Sequence, residues 1–265
     1  MNDSVLFDVR DAIGTVTLNR PASLNALNDD MVQGLVAVMA AAAADPAVRC
    51  VVLRGAGDHF MAGGDLKFFQ GRLGEPAAAR HAFFHDMIGR LHPAMVSMRS
   101  MPKPILVRLQ GAVAGFGLSL SLAADLAVVA EDTYFTLAYS LIGTSPDGGS
   151  TFHLPRVVGL RKAMEIALLG DRFDAATAER LGLVNWIVPA EALDRETDKI
   201  ARRLADGASL ALGHTKRLLS QSFDNDLAAQ LDAERDAFAA CGASADFAEG
   251  ITAFLEKRRA AFRGE

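Results

Sequence analysis

The sequence predicts an α/β protein whose C-terminal part is helical. Short apolar segments of strand length alternate with longer amphipathic segments over residues 1–195. Two of these apolar segments, 50–54 and 105–109, run into glycine-rich turns that each precede a helical stretch. From Leu160 onward the pattern is helical except at Val184–Val188. We therefore expect an α/β core over residues 1–195, with parallel strands and right-handed crossovers, and a helical domain over 196–265.

The N-terminal segments predict a hairpin followed by a capped helix. Val5–Arg10 and Thr15–Leu18 are apolar or alternating and are separated by the turn sequence Asp11–Gly14. Asn28 can then accept a hydrogen bond from a free N–H of a helix that runs to about Ala44. The two aspartates after Asn28 favour this helix start through the helix dipole.

The middle of the chain alternates between strands and helices. The sequence predicts a helix around 76–100 between strands 50–54 and 105–109, then a helix over 116–124 and a strand over 126–130. In the C-terminal region, apolar residues at helical spacing predict two further helices. These residues are Leu227, Leu231, Ala237 and Phe238 in one helix, and Phe247, Ile251, Phe254 and Leu255 in the other.

Composition excludes several function classes. The chain has 265 residues, 51% of them hydrophobic, and a net charge of −5 without any lysine or arginine run, so we expect no nucleic-acid partner. Cys50 and Cys241 are far apart and lack metal-ligand spacing, which favours reduced thiols in a cytoplasmic protein. The start lacks the pattern of a signal peptide, and the apolar stretch 112–130 is interrupted by polar residues. We therefore expect no membrane partner.

The two glycine-rich turns indicate a site. Glycine and other residues with small side chains at a strand-to-helix turn let a ligand approach the backbone closely. The N–H groups at such a turn are unpaired and lie at the positive end of the helix dipole. Two such turns side by side could direct two N–H groups at one oxygen, which is an oxyanion hole.

The same turns carry a resemblance to a known family. Thr17–Leu27, Phe60–Lys67 and Gln110–Gly117 are similar to successive motifs of the crotonase superfamily, which contains enoyl-CoA hydratases, enoyl-CoA isomerases and related dehalogenases. Glu249–Arg258 resembles the C-terminal helix of that family. The resemblance implies a spiral of ββα units with a C-terminal helical trimerisation region. It also implies an acyl-CoA substrate, with coenzyme A as part of the substrate and no separate cofactor.

The resemblance further implies a set of site residues. The N–H groups of Gly64 and Phe116 would hold the thioester oxygen, although a small residue is usual in the family where this chain has Phe116. Lys67 and Lys257 would bind the coenzyme A phosphates, Lys257 from a neighbouring subunit, so a homotrimer or a dimer of trimers is expected. The substrate-binding positions are Leu24, Ala26, Ala62, Gly63, Asp65, Leu66, Lys67, Gly115, Tyr139, Phe254 and Lys257.

The acid–base residues depart from the hydratase pattern. Family hydratases use two glutamates, and this chain has Ser119 and Tyr139 at the matching positions. Because two carboxylates are what let such an enzyme hold a water and deliver its proton separately, ordinary hydration is in doubt. Asp147 matches the aspartate of the ring-epoxide isomerases of phenylacetate breakdown and of several enoyl-CoA isomerases. We expect Asp147 to act as a single acid/base in a double-bond or ring isomerisation.

Other interpretations of these residues stay open. Asp147 could instead cap a short helix from Ser150, and the chain could be a hydratase by another route or a catalytically silent acyl-CoA-binding protein. Gly111–Gly117 also imitates a dinucleotide-binding loop, but such a loop normally follows the first strand. His92 is near a histidine that assists the dehalogenases, yet it equally fits a helix surface. His81 and His85 lack a third ligand, so we expect no metal site.

Overall fold

The computed structural model describes residues 3–265 and contains two sheets. The larger sheet has six strands in the order β1-β2-β3-β4-β6-β9, and the smaller has the order β5-β7-β8. The strands are β1 Val5–Arg10, β2 Ile13–Leu18, β3 Cys50–Gly55, β4 Ile105–Leu109, β5 Ala112–Ala114, β6 Leu126–Ala130, β7 Tyr134–Thr136, β8 Phe173–Asp174 and β9 Trp186–Val188.

Helices fill the segments between the strands and the whole C-terminal part. They are α1 Asp29–Ala44, α2 Leu66–Gln70, α3 Ala77–Ser100, α4 Phe116–Leu122, α5 Ser150–Val158, α6 Leu160–Leu169, α7 Ala175–Arg180, α8 Leu193–Ala205, α9 Ser209–Gln221, α10 Leu227–Gly242 and α11 Ala245–Leu255. Over residues 3–265, none of them has the length and apolar character needed to cross a bilayer.

The N-terminal hairpin and the capped helix are confirmed. β1 pairs antiparallel with β2, and Asp11 and Ala12 between them have φ values of 51° and 62°. Positive φ at both turn residues matches the twist of a two-residue hairpin. The Asn28 side chain accepts a hydrogen bond from the Met31 N–H at 3.0 Å and caps α1. All later neighbours in the large sheet, from β2 to β9, pair in parallel as expected.

The centre of the large sheet is buried on both faces. On one face Val51 and Leu53 belong to the main core, which includes residues of α1 and α3. On the other face Cys50 and Val52 pack with residues of α8. The predicted division after residue 195 falls inside α8, whose buried residues pack on this face of the sheet.

The small sheet connects the two glycine-rich turns. The second turn contains the three-residue strand β5, which pairs with β7 and makes a bridge through Val113 to Met61 of the first turn. The sequence predicted one continuous turn here, because three residues are too few to show a strand periodicity. The expected helix over 116–124 ends earlier, at Leu122.

Candidate active site

The two glycine-rich turns lie side by side, joined by main-chain hydrogen bonds. The Met61 N–H donates to the Ala112 carbonyl at 3.0 Å, and the Ala114 N–H donates to the Met61 carbonyl at 2.9 Å. Gly63 has a φ of +92°, and a Cβ at this position would lie 3.2 Å from the Ala114 oxygen and 3.6 Å from the Phe116 nitrogen. A side chain at residue 63 would therefore be strained and crowded, and glycine lets the turns come together.

Two amides in these turns have no partner. The neighbours of Gly64 are engaged, since the Leu27 N–H donates to the Gly63 carbonyl and the Asp65 N–H donates to the Leu27 carbonyl. Phe116 is the first residue of α4, where an N–H has no acceptor within the helix. Within residues 3–265 neither the Gly64 nor the Phe116 N–H donates a hydrogen bond. The two N–H groups predicted to form an oxyanion hole are thus without an acceptor, and their joint action on one oxygen stays a prediction.

A buried asparagine holds the first turn in place, which the sequence analysis missed. Asn25 is fully buried and accepts a hydrogen bond from the Arg20 N–H at 2.9 Å. Its amide donates to the carbonyls of Ala56 and His59 at 2.9 and 2.8 Å. This side chain therefore joins the segment that contains Leu24 and Ala26 to the turn that leads to Gly64.

The Asp65 carboxylate is bound by groups of the protein itself. Its carboxylate lies 2.9 Å from an Arg20 guanidinium nitrogen and accepts the Phe68 N–H at 3.2 Å, which caps α2. Burial opposes ionisation of Asp65, but these two donors outweigh burial and hold its pKa below the ordinary value. The Asp65 carboxylate, predicted to bind substrate, is thus already engaged within the protein.

Asp147 lies in a cluster with the two hydroxyls at the hydratase glutamate positions. The Tyr139 hydroxyl donates a short hydrogen bond to Oδ1 of Asp147. Oγ of Ser119 lies 3.2 Å from the Tyr139 hydroxyl oxygen. Ser119 is fully buried and Tyr139 is 8% exposed. Tyr139 therefore contacts both Ser119 and Asp147, which links the three side chains.

The Asp147 carboxylate does not cap the helix that follows. α5 starts at Ser150, and Gly149 at its N-cap gives no side-chain hydrogen bond. The N–H and hydroxyl of Ser150 both donate to the main-chain carbonyl of Asp147, at 3.2 and 3.0 Å. The helix-cap interpretation of this carboxylate is thus wrong.

Glycine after Asp147 lets the loop dock on α4. Gly148 has a φ of +60°, and a Cβ there would lie 2.5 Å from the Phe116 ring and 3.1 Å from Cβ of Ser119. The Phe116 ring is 2% exposed and belongs to the main core. Phe116 therefore offers its N–H at the turn while its ring supports the loop that carries Asp147.

Burial dominates the electrostatics of this cluster. Burial raises the pKa of Asp147, although the Tyr139 hydrogen bond and the charge of His92 act in the opposite direction. Burial and the neighbouring Asp147 charge also raise the pKa of Tyr139. The phenol thus stays protonated and donates, and Asp147 holds a proton more readily than an ordinary carboxylic acid.

An aromatic cluster borders Gly64. A Cβ on Gly64 would lie 2.5 Å from the Phe69 ring. The Phe69 ring packs edge-to-face on Phe84 at 5.1 Å, and Phe68 packs on Phe83 at 5.8 Å. Apolar rings beside Gly64 lower the local dielectric and would strengthen the interaction of its N–H with a negative charge.

Some predicted residues lie apart from this cluster. Leu66 is exposed and Lys67 lies on α2 beside it. Phe254 is 83% exposed on α11, which packs on α10, and Lys257 follows that helix. The predicted contact of Phe254 and Lys257 with the substrate of a neighbouring subunit stays a prediction.

The histidines of α3 lie at its surface. The rings of His81 and His85 stack at 6.0 Å on exposed positions. In the part of the chain that the structure describes, no group of three potential metal ligands occurs. His92 is also exposed, but its charge acts on Asp147.

A cavity of about 720 Å³ lies away from these groups, between the end of α3, α9 and the C-terminal residues. Three of its cationic side chains donate to main-chain carbonyls: Arg49 to Gly207, Lys103 to Ala42, and Lys216 to Met98. The Lys216 contact fastens α9 to α3.

The fold and the paired free amides define the class of protein, an enzyme of the crotonase superfamily. Residues 8–265 match the family model described as enoyl-CoA hydratase/isomerase. The chain belongs to this family, which replaces the dinucleotide-binding interpretation of Gly111–Gly117.

Curated relatives and solved structures match along almost the whole chain. A 1,2-epoxyphenylacetyl-CoA isomerase of Escherichia coli (strain K12) is 36% identical over 265 residues, which are 100% of both chains. A crotonyl-CoA hydratase of Syntrophomonas wolfei is 32% identical and covers 98% of each chain. The crystal structure of an enoyl-CoA hydratase from Polaromonas sp. JS666 superposes with a TM-score of 0.91 at 34% identity, covering 98% of this chain and 99% of that one. Both isomerases and hydratases are thus among the relatives.

Proposed function

We propose that this enzyme isomerises an acyl-CoA, with Asp147 as the single acid/base. The observation that carries the proposal is the contact between Asp147 and the hydroxyls of Tyr139 and Ser119. The two positions that would supply carboxylates for hydration instead carry hydroxyls bound to one another and to the remaining acid. A single carboxylate whose pKa is raised by burial suits a group that takes up and returns one proton.

The reaction would proceed through an enolate. Asp147 removes a proton alpha or gamma to the thioester, and the C–H electron pair moves toward the thioester carbonyl. The oxygen becomes negative while the Gly64 and Phe116 N–H groups donate to it. Asp147 then returns the same proton at another carbon, which shifts a double bond or completes a ring rearrangement. The atoms balance without water, so no second acid/base is needed.

We also propose where the coenzyme A part of the substrate binds. The segments around Leu24–Ala26 and Ala62–Leu66 are joined by a hydrogen bond from the Ala62 N–H to the Leu24 carbonyl at 3.0 Å. Their small side chains and turn backbone leave main-chain groups within reach of a ligand next to Gly64. No other cofactor is required by a proton shuttle of this kind.

The second candidate function is hydration of a 2-enoyl-CoA. The hydratases among the relatives favour it. It would require a water held and activated by something other than two carboxylates. A silent acyl-CoA-binding protein is the third candidate.

A panel of substrates separates these candidates. Purified enzyme is assayed with a 3-enoyl-CoA, a 2-enoyl-CoA and an aryl-epoxide CoA ester, and binding of a saturated acyl-CoA is measured by calorimetry. We expect isomerisation of the 3-enoyl or epoxide ester and hydration that is at least about 10²-fold slower, since general acid–base help from a second group is missing. Dominant hydration would refute the isomerase proposal. Binding without turnover of any ester would establish the silent protein.

We propose a homotrimer or a dimer of trimers, and its support is the exposed apolar surface of the C-terminal helices. Large side chains there are 42–83% exposed, namely Leu227, Leu231, Phe238, Phe247, Ile251, Phe254 and Leu255. An apolar surface of this kind marks an interaction site. We expect light scattering after gel filtration to give three or six times the 28.1 kDa chain mass. A double change, Phe238→Ser with Leu231→Ser, should shift it toward the monomer, and a monomeric wild type would contradict the proposal.

A further inference from the structure

We propose that Tyr139 is a positioning residue that holds one oxygen of Asp147, so that the other oxygen alone exchanges the proton with the substrate. The inference rests on the proposed acid/base role of Asp147. It assigns Ser119 as the support of the Tyr139 hydroxyl. Tyr139 would act through Asp147 and not through the substrate.

Two hydrogen bonds in series connect α4 to Asp147. The Tyr139 hydroxyl donates its proton to Oδ1 of Asp147, so the Tyr139 oxygen, 3.2 Å from Oγ of Ser119, accepts the Ser119 proton. Ser119 lies on α4, the helix that begins at Phe116, whose N–H is one of the free amides. The proposed proton-transfer group is therefore held by the helix that presents a free amide, which sets their relative position.

The Tyr139 hydroxyl should affect the ionisation of Asp147 enough to be measured. Two titratable side chains act on this carboxyl, Tyr139 on the neighbouring segment and His92 from α3, and both favour its ionised form against burial. A hydroxyl that donates to a carboxylate stabilises the anion more than the acid. Removal of the Tyr139 hydroxyl should therefore make Asp147 harder to ionise.

The first test compares pH profiles of wild type and Tyr139→Phe on the best substrate of the panel. We expect the acidic limb of kcat/KM to move upward by about one pH unit and kcat to fall about tenfold, the size of a lost hydrogen bond to a charged group. Tyr134→Phe is the matched control, because Tyr134 is the only other tyrosine and its ring packs with Arg172. His92→Gln, profiled in parallel, measures how much the charge on His92 contributes to the acidic limb.

The second test does not require activity. Tyrosinate absorbance is followed on titration of Tyr134→Phe, in which Tyr139 is the single tyrosine. We expect its ionisation in the folded protein only at a pH well above that of an exposed tyrosine. Asp147→Asn in the same background should move it to lower pH, because the carboxylate charge that opposes tyrosinate is gone.

The outcomes distinguish the two proposals. If Asp147→Asn is inactive but Tyr139→Phe keeps the wild-type pH profile, the positioning role is refuted and the proposed function stands. If the wild type turns over no ester but Asp147→Asn still moves the tyrosine titration, the contact is real and the proposed function fails. A tyrosine titration that Asp147→Asn leaves unchanged overturns the inference.

Discussion

Replacing Asp147 with asparagine is expected to lower kcat for isomerisation by about 10²–10⁴-fold, the usual contribution of general acid–base catalysis. Asparagine keeps the size of the side chain and can still accept the Tyr139 hydrogen bond, but its amide cannot take up a proton. The measurement is steady-state turnover of the substrate that the wild type isomerises best.

The affinity of Asp147→Asn for a saturated acyl-CoA should stay within about twofold of wild type, because the segments proposed to bind coenzyme A lie in and before the first turn. Asp198→Asn, an exposed change of the same chemistry on α8, serves as the matched control and should leave turnover unchanged. A variant that keeps most of its isomerase activity would exclude Asp147 as the proton carrier.

The pH dependence follows from the environment of Asp147. As a base it must be ionised, and burial raises its pKa above the ordinary value of 3.8. The wild-type kcat/KM should therefore fall on the acid side at a higher pH than an exposed aspartate would give. The residual activity of Asp147→Asn should lack this acidic limb.

Replacing Gly64 with proline is expected to lower kcat by about 10²–10³-fold, the usual effect of removing one oxyanion donor. Proline has no N–H, so one of the two free amides is lost. The main-chain hydrogen bonds on both sides, through Gly63 and Asp65, do not use the Gly64 nitrogen. Turnover and far-ultraviolet circular dichroism are measured together, so that loss of activity is separated from loss of fold.

Gly64→Ala provides the matched control for this experiment. Its added Cβ would lie 2.5 Å from the far edge of the Phe69 ring, which a side-chain shift can relieve, and the N–H remains. We expect alanine to cost much less activity than proline, and the pair Gly64→Ala with Phe69→Leu to recover part of that loss. Equal losses of activity for alanine and proline would indicate that crowding against the Phe69 ring, and not the missing N–H, causes the loss.

The sequence alone determined the order and type of most elements. Strand and helix periodicities are local, so β3, β4, β6, α1 and α3 were predicted close to their observed ends. The glycine-rich turns and the family motifs are also contiguous in sequence. The family could therefore be recognised before any distance was known, and so could the free amides of Gly64 and Phe116.

Only the tertiary structure decided which side chains meet. Ser119 lies on α4, whereas Tyr139 and Asp147 lie in the segment between β7 and α5. Their contact depends on the docking of the Asp147 loop through Gly148 on the Phe116 ring. Side-chain hydrogen bonds over such separations leave no periodic signal in a single sequence. The same is true of the engagement of Asp65 by Arg20, which depends on the closeness of two loops.

The packing of α8 on the sheet also could not be predicted from the sequence. Its sequence is that of an amphipathic helix, which needs an apolar surface but does not specify which one. The sheet face that includes Val52 provides that surface, so α8 joins the core. The sequence thus determined the elements and the candidate site residues. The packing of the elements determined which of these side chains contact one another, because burial and contact are properties of the folded chain.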